Sequence, residues 1–169
     1  MHRKVWLSIL LAAAGLLFYL TGCASPRIPG PSSFDILGSR QYPAICYSGH
    51  RKPERTVGNT PTIEETKEDL RILSAMGIKL IRTYNTTIFP HSERILQSIR
   101  ELKTEDPSYE MFVMLGAWIQ CKDSYTDNPD HSVEDRELNQ AEIAAAIRLA
   151  DEYSDIVKVI AVGNESMVT

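Results

Sequence analysis

The sequence contains little cysteine and has no excess of positive charge. It has three cysteines in 169 residues and no C-x-x-C or cysteine–histidine spacing, so no pattern indicates a metal site. With 18 Lys and Arg against 22 Asp and Glu, the formal net charge is −4. Because phosphate binding requires clustered basic side chains, this balance argues against a nucleic-acid partner.

The N-terminus has the pattern of a secretory signal. Arg3 and Lys4 precede an apolar stretch from Val5 to Leu20, and Thr21-Gly22-Cys23 follows it. We predict a signal peptide at 1–22. An uncleaved transmembrane anchor is the alternative, because the apolar stretch is close to the shortest length that spans a bilayer.

Leu20-Thr21-Gly22-Cys23 resembles the lipobox of bacterial lipoproteins, in which the cysteine is acylated after cleavage. The resemblance implies that Cys23 is lipidated and that the protein is anchored to a membrane. Ala24 in place of Asp favours the outer membrane of a bacterial cell envelope. Cleavage would remove two of the 18 basic residues and no acidic ones, which leaves a net charge of about −6. We predict a flexible, lipid-anchored tether over 23–41, since 26–33 holds three Pro, one Gly and two Ser.

From Tyr42 onward, strand-like and helix-like periods alternate. The predicted strands are Ala44–Tyr47, Ile78–Tyr84, Met111–Trp118 and Val157–Val162. Val159 to Val162 is an apolar run typical of a parallel strand buried on both faces. Strict alternation of strand and helix implies a parallel sheet with right-handed crossovers.

Three helices connect these strands. The first begins at Thr60-Pro61, or alternatively at Thr62, which has capping-box spacing to Glu65, and Gly77 is a good C-terminal stop. The second begins at Ser92 and cannot pass Pro107. The third runs from Leu138 to Tyr153. Its predicted inward residues are Leu138, Ala141, Ala145 and Leu149.

A doubly wound sheet and a (β/α)₈ TIM barrel both fit this order. The first strand-to-helix connection has no G-x-G-x-x-G and no P-loop, which argues against nucleotide binding. Long polar loops follow the first and third strands, and aromatic or charged residues cluster at strand ends. Both features favour the catalytic face of a barrel.

Cys46 and Cys121 are predicted to be free, partly buried thiols. They lie two strands apart. Because neighbouring strands are ~4.8 Å apart, the two Cα atoms are separated by about twice that distance, which is too far for a disulfide. The loop histidines His50, His91 and His131 show no metal-ligand spacing, and we expect them on the surface.

Four strand-end segments together resemble glycoside hydrolase family 17, in its bacterial lipoprotein-type branch. They are Ala44-Ile45-Cys46-Tyr47-Ser48-Gly49, Leu80-Ile81-Arg82-Thr83-Tyr84-Asn85, Val113-Met114-Leu115-Gly116-Ala117-Trp118 and Val162-Gly163-Asn164-Glu165. The resemblance implies a retaining glycosidase or transglucosylase that acts on β-1,3-type glucans, built on a (β/α)₈ barrel without cofactor or metal. It covers the first half of that barrel, over 42–169.

The resemblance also implies a role for several residues. Glu165 matches the general acid/base, and Asn164 would hydrogen-bond the sugar 2-hydroxyl. Arg82 would lie near the nucleophile and keep it ionised. The sugar would be bound by Tyr47, Tyr84 and Trp118.

The family's nucleophile is a Glu at the end of the seventh strand, and no position in this sequence matches it. We therefore expect an incomplete half barrel that is inactive by itself. The missing half would come from a second half-barrel chain, from a homodimer of halves or from the remainder of a longer gene product. The alternative is a non-catalytic outer-membrane lipoprotein that at most binds carbohydrate. A complete four-stranded α/β sensor domain is less favoured, because the edge after the fourth strand has no protective charge.

Overall fold

The computed structural model describes residues 30–163, which form a parallel sheet of four strands with helices packed on it. The sheet strands are β1 (Ala44–Cys46), β2 (Leu80–Arg82), β3 (Phe112–Ala117) and β6 (Val157–Val162), and a separate antiparallel pair is β4 (Cys121–Lys122) and β5 (Asp130–Glu134). The helices are α1 (Ser33–Ile36), α2 (Ile63–Ala75), α3 (His91–Glu105) and α4 (Arg136–Glu152), with a 3₁₀ turn at Val57–Asn59. The four predicted strands and three predicted helices are present.

The sheet order is β1-β2-β3-β6, and every pairing in it is parallel. Cys46 lies opposite Arg82, Arg82 opposite Met114, and Ala117 opposite Val162. The C-terminal ends of all four strands therefore reach the same edge of the sheet. This α/β architecture is consistent with part of a barrel.

The main core lies between one face of the sheet and the three long helices. Its buried members include Ile81, Val113 and Leu115 from the strands and Leu70, Ile95, Ile99 and Leu149 from the helices. Because side chains alternate along a strand, Leu80 and Phe112 lie on the other face, where they pack with Ile36 of α1. Residues 30–41, predicted as part of a flexible tether, thus include a helix whose Ile36 is buried against the sheet.

Helix α2 begins at the second of the two predicted starts, after Thr62, and ends before the predicted stop, Gly77. Thr62 is the N-cap, and its hydroxyl and Glu65 form a reciprocal capping box. At the other end, Gly77 has φ +84° and donates to the Ser74 carbonyl, while Ile78 donates to Leu73. This is a Schellman motif, which requires a left-handed residue and so favours glycine.

The prediction that β6 is buried on both faces was wrong. Ile160 is 37% and Val162 66% exposed, and all three residues of β1 are exposed. Among residues 30–163, no strand pairs with the outer edge of either strand. The two outer strands therefore leave apolar side chains uncovered.

The inward face of α4 also differs from the prediction. Leu138 and Ala141 are exposed and Ala145 is half-buried, whereas Leu149 is buried as predicted, together with Asn139, Glu142 and Ala146. Hydrogen bonds to the loops above the sheet turn Asn139 and Glu142 inward, which rotates the buried face by one residue. The polar loop before this helix contains the β4–β5 hairpin, which the sequence did not predict.

Cys46 and Cys121 are free, as predicted, but Cys46 is exposed because β1 is an uncovered edge strand. Over the range 30–163, no helix is long and apolar enough to cross a bilayer.

Candidate functional site

An open groove of about 420 Å³ lies at the edge where the strands end. Its volume is within the range of small-ligand sites. It is lined by residues from the loops after β1 and β2, the start of α3, the end of β3 and the loop between β4 and β5. They are Ser48, His50, Arg55, Tyr84, Asn85, Ile88, Phe89, His91, Trp118 and Tyr125. Among the described residues, the lining includes no carboxylate.

Tyr84 and Trp118 line the groove from the ends of β2 and β3. Trp118 is stacked with Tyr125, with ring centroids 6.3 Å apart and an interplanar angle of 20°. Tyr125 comes from the loop between β4 and β5 and is 70% exposed. The two rings form an aromatic surface of the kind that binds flat, apolar ligand faces.

Tyr47 and Arg82 lie outside this lining. The Tyr47 hydroxyl donates to Asp69 Oδ2 at 2.8 Å, and its ring packs against the main core. Burial and the neighbouring Asp69 raise the pKa of Tyr47. Arg82 ends β2 between Cys46 and Met114. Asn164, Glu165 and Cys23 lie outside the described residues.

Arg51 fixes the loop after β1 to α2. Its guanidinium pairs with Asp69 and with Glu68 at 2.8 Å, and it also donates to the Glu65 carbonyl. Hydrogen bonds to Asp69 and Glu68 raise the pKa of Arg51. Because Arg51 directly follows His50, these contacts fix the position of His50 at the groove.

Glu142 joins two of the loops that form the groove. Its carboxylate accepts hydrogen bonds from the backbone N–H groups of Thr86, Thr87 and Trp118, at 2.9 Å for Thr87 and 3.1 Å for Trp118. The Thr87 hydroxyl also donates to it, and the residue is 2% exposed. Bonds from several backbone N–H groups stabilise a carboxylate. Glu142 therefore fixes the loop after β2 relative to the end of β3.

His50, Phe89 and His91 form an aromatic cluster that sequence reasoning missed. The His50 ring centroid is 5.3 Å from Phe89 and 5.8 Å from His91. The expectation of surface histidines was wrong for His91, which is 3% exposed. Its place directly after Phe89-Pro90, at the start of an amphipathic helix, was a signal for burial.

The pKa of His91 is lowered to about 4 by burial, with further contributions from the positive charges of His50 and Arg55. Burial also lowers the pKa of His50. Both imidazoles are therefore neutral near pH 7. Within 30–163, no group of three or more His, Cys, Asp or Glu side chains is placed to hold a metal ion.

The lowered pKa of His91 makes stability depend on pH. The ordinary value is 6.5, so between pH 6.5 and about 4 the unfolded chain binds more protons than the folded one. Stability is therefore lost as pH falls through this window, by on the order of 2 kcal/mol from this group. Urea unfolding at pH 7 and pH 4.5 measures the loss. His91→Leu should show a smaller loss than the unmodified protein, and an equal loss would contradict the assignment.

No family model matches the chain, and no curated protein matches it. Among solved structures, it matches the crystal structure of an endo-laminarinase from Formosa Hel1_33_131, with a TM-score of 0.76. The two sequences are 51% identical over 82% of this chain. This chain is similar to an endo-laminarinase. It covers 35% of that protein, so it spans about a third of the laminarinase's length.

Proposed function

We propose that the chain is part of a β-1,3-glucan-active glycoside hydrolase of family 17. The observation that carries the β-1,3-glucan activity is the 51% identity to an endo-laminarinase over 82% of the chain. The assignment to family 17 rests on the resemblance of the four strand-end segments. The groove at the strand ends provides a place for the glucan, with a sugar ring lying on Trp118. We propose further that β1, β2, β3 and β6 are the first four strands of a (β/α)₈ barrel, whose active site is at this edge.

The proposed chemistry is retaining. It requires an acid/base carboxylate and a nucleophilic carboxylate ~5–5.5 Å apart. Glu165 follows β6 and would protonate the glycosidic oxygen, and Asn164 would hold the sugar 2-hydroxyl. The nucleophile would come from the part of the laminarinase-like protein that this chain does not match, beside Arg82.

Isothermal titration with laminarihexaose, which is β-1,3-linked, and maltohexaose, which is α-1,4-linked, tests the proposal. We expect the β-1,3 oligosaccharide to bind at least about ten-fold more tightly, a difference of about 1.4 kcal/mol. Trp118→Ala should weaken its binding by a similar factor or more. Phe34→Ala is the control, because Phe34 is an exposed aromatic residue outside the groove. Equal binding of both sugars, or no effect of Trp118→Ala, would contradict the proposal.

A second candidate is a lipoprotein that binds carbohydrate without cleaving it. One observation favours this candidate: no carboxylate among residues 30–163 lines the groove. With either candidate, we expect the chain by itself to release no reducing ends from laminarin. Laminarin hydrolysis that Glu165→Gln abolishes would show that the chain contains both carboxylates.

We also propose that residues 1–22 direct export and that lipid on Cys23 anchors the protein to the outer membrane, with 42–169 as the barrel portion. Cys23→Ala should then move the protein from the membrane fraction to the soluble fraction of a bacterial cell. A protein that remains in the membrane fraction would instead indicate an uncleaved N-terminal anchor.

A further inference from the structure

Several buried nitrogens around the groove have no hydrogen-bond partner. They are His50 Nδ1, both ring nitrogens of His91 and Trp118 Nε1. Within residues 30–163, five buried side-chain atoms lack a partner: these four nitrogens, whose three residues all line the groove, and Ser124 Oγ, whose residue does not. Because an unpaired buried polar group costs free energy, an ordered water or a ligand is expected to pair with each of these nitrogens.

Two of these residues, His50 and His91, form one side of the groove together with Phe89, and we call these three residues the histidine wall. His91 is the first residue of α3 and is fixed by the fold, with 3% of its surface exposed. His50 lies 5.8 Å away between ring centroids, and Phe89 packs edge-to-face against His50. The unpartnered nitrogens have almost no accessible surface, so a hydroxyl oxygen in the groove can hydrogen-bond to both imidazoles only after the less buried His50 ring rotates.

The chemistry of the wall favours an uncharged, hydroxylated ligand. A neutral imidazole has one N–H donor and one nitrogen acceptor, which is the same pairing that a hydroxyl offers. A phosphate or sulfate accepts hydrogen bonds from donors only and would leave the acceptor nitrogens unpaired. A metal ion would need more ligands than the described residues bring together here.

We propose that the histidine wall is a hydroxyl-recognition subsite, in which His50 and His91 together bind a hydroxyl group of the glucan. A neighbouring sugar ring lies on Trp118 in the same groove. This inference rests on the proposed function and adds to it: the wall selects a sugar with a hydroxyl at that point, whereas Trp118 supplies affinity for the ring face. A site built to hydrogen-bond a hydroxyl discriminates strongly against ligands that lack it.

Nuclear magnetic resonance of the imidazole Cε1–H groups, with laminaritriose as the ligand, observes the wall directly. The chain has four histidines, so each signal can be assigned by substitution. We expect the His50 and His91 signals to shift during the titration. The His131 signal should stay in place, because His131 lies beside Cys121 outside the groove.

Affinity and stability of three variants separate recognition from a structural role. His91→Leu should weaken laminaritriose binding by about ten-fold or more, the factor expected for losing one or two hydrogen bonds. It should not lower the free energy of unfolding, because it removes two unpaired buried nitrogens. His91→Gln, which keeps a donor and an acceptor, should recover part of the affinity. His131→Gln should bind as the unmodified protein does.

Unchanged binding by His91→Leu, while Trp118→Ala abolishes it, would overturn the subsite and leave the proposed function in place. Signals of His50 and His91 that shift with sodium sulfate but not with laminaritriose would overturn it in favour of an anion site. If the loss of affinity in His91→Leu is accounted for by the fraction of that variant that is unfolded, His91 has a structural role and the subsite is overturned. If the unmodified protein binds no β-1,3-glucan, both the subsite and the proposed function fail.

Discussion

Replacing Gly116 with alanine is expected to lower the free energy of unfolding by about 3 kcal/mol or more, because the new methyl group has no room. A Cβ atom at this position would clash with the Thr83 carbonyl oxygen and lie 2.7 Å from Tyr84 Cα. Both neighbours are backbone atoms, so the clash can be relieved only by moving β2 and β3 apart. The Gly116 N–H also donates to Thr83 Oγ1 at 3.0 Å, and the same movement would break this bond.

Urea unfolding followed by circular dichroism measures the effect. Gly58→Ala is the matched control, because the nearest atom to its added Cβ is Thr56 Oγ1 at 4.0 Å. The control should change stability by no more than about 0.5 kcal/mol. Equal stabilities of the two variants would show that the strands do not approach as closely as described. The contact also matters for the groove, since Tyr84 lies two residues after the end of β2 and Trp118 directly follows β3.

Glu142→Leu is expected to destabilise the protein by about 3 kcal/mol, since removing a buried acceptor leaves its donors unpaired. The donors are the N–H groups of Thr86, Thr87 and Trp118 and the Thr87 hydroxyl. Leucine fills the volume, so the loss reports the hydrogen bonds rather than a cavity. The stability of Glu142→Gln should lie between those of Glu142→Leu and the unmodified protein. Its amide offers one acceptor oxygen but turns its NH₂ group toward the remaining donors.

Glu137→Gln is the control for Glu142, since it makes the same change in chemistry at an exposed position of the same helix. Its effect should be a few tenths of a kcal/mol, through the helix dipole alone. Chemical denaturation of the four proteins at pH 7 gives the comparison. A Glu142→Leu protein as stable as Glu137→Gln would mean that the carboxylate does not join the two loops.

The strands were predictable because parallel strands are apolar runs, as are 112–117 and, apart from Lys158, 157–162, although β6 lies at the edge of the described sheet. The burial of the two outer strands, β1 and β6, was not predictable, since it depends on whether another strand pairs with each edge of the sheet. The inward face of α4 could not be predicted from periodicity. Periodicity treats a polar residue as outward, whereas Glu142 is turned inward by hydrogen bonds to loops that are distant in the sequence.

The same distinction applies to the groove. Tyr84 and Trp118 could be placed there in advance, because the ends of parallel strands meet at one edge. His50, His91 and Tyr125 could not, because His50 and Tyr125 lie in loops and His91 begins α3 directly after a loop. Tertiary contacts such as those of Arg51 and Glu142 set the conformation of the loops after β1 and β2. Tyr47 follows a strand end as well, but its hydroxyl is bound by Asp69 of α2.

The central claim is that this groove binds β-1,3-glucan, and a crystal structure of the protein with laminarihexaose tests it most directly. The predicted result is a sugar ring stacked on Trp118, with the oligosaccharide in the groove between Tyr125 and His91. An oligosaccharide bound elsewhere on the protein, with this groove unoccupied at saturating ligand, would contradict the claim.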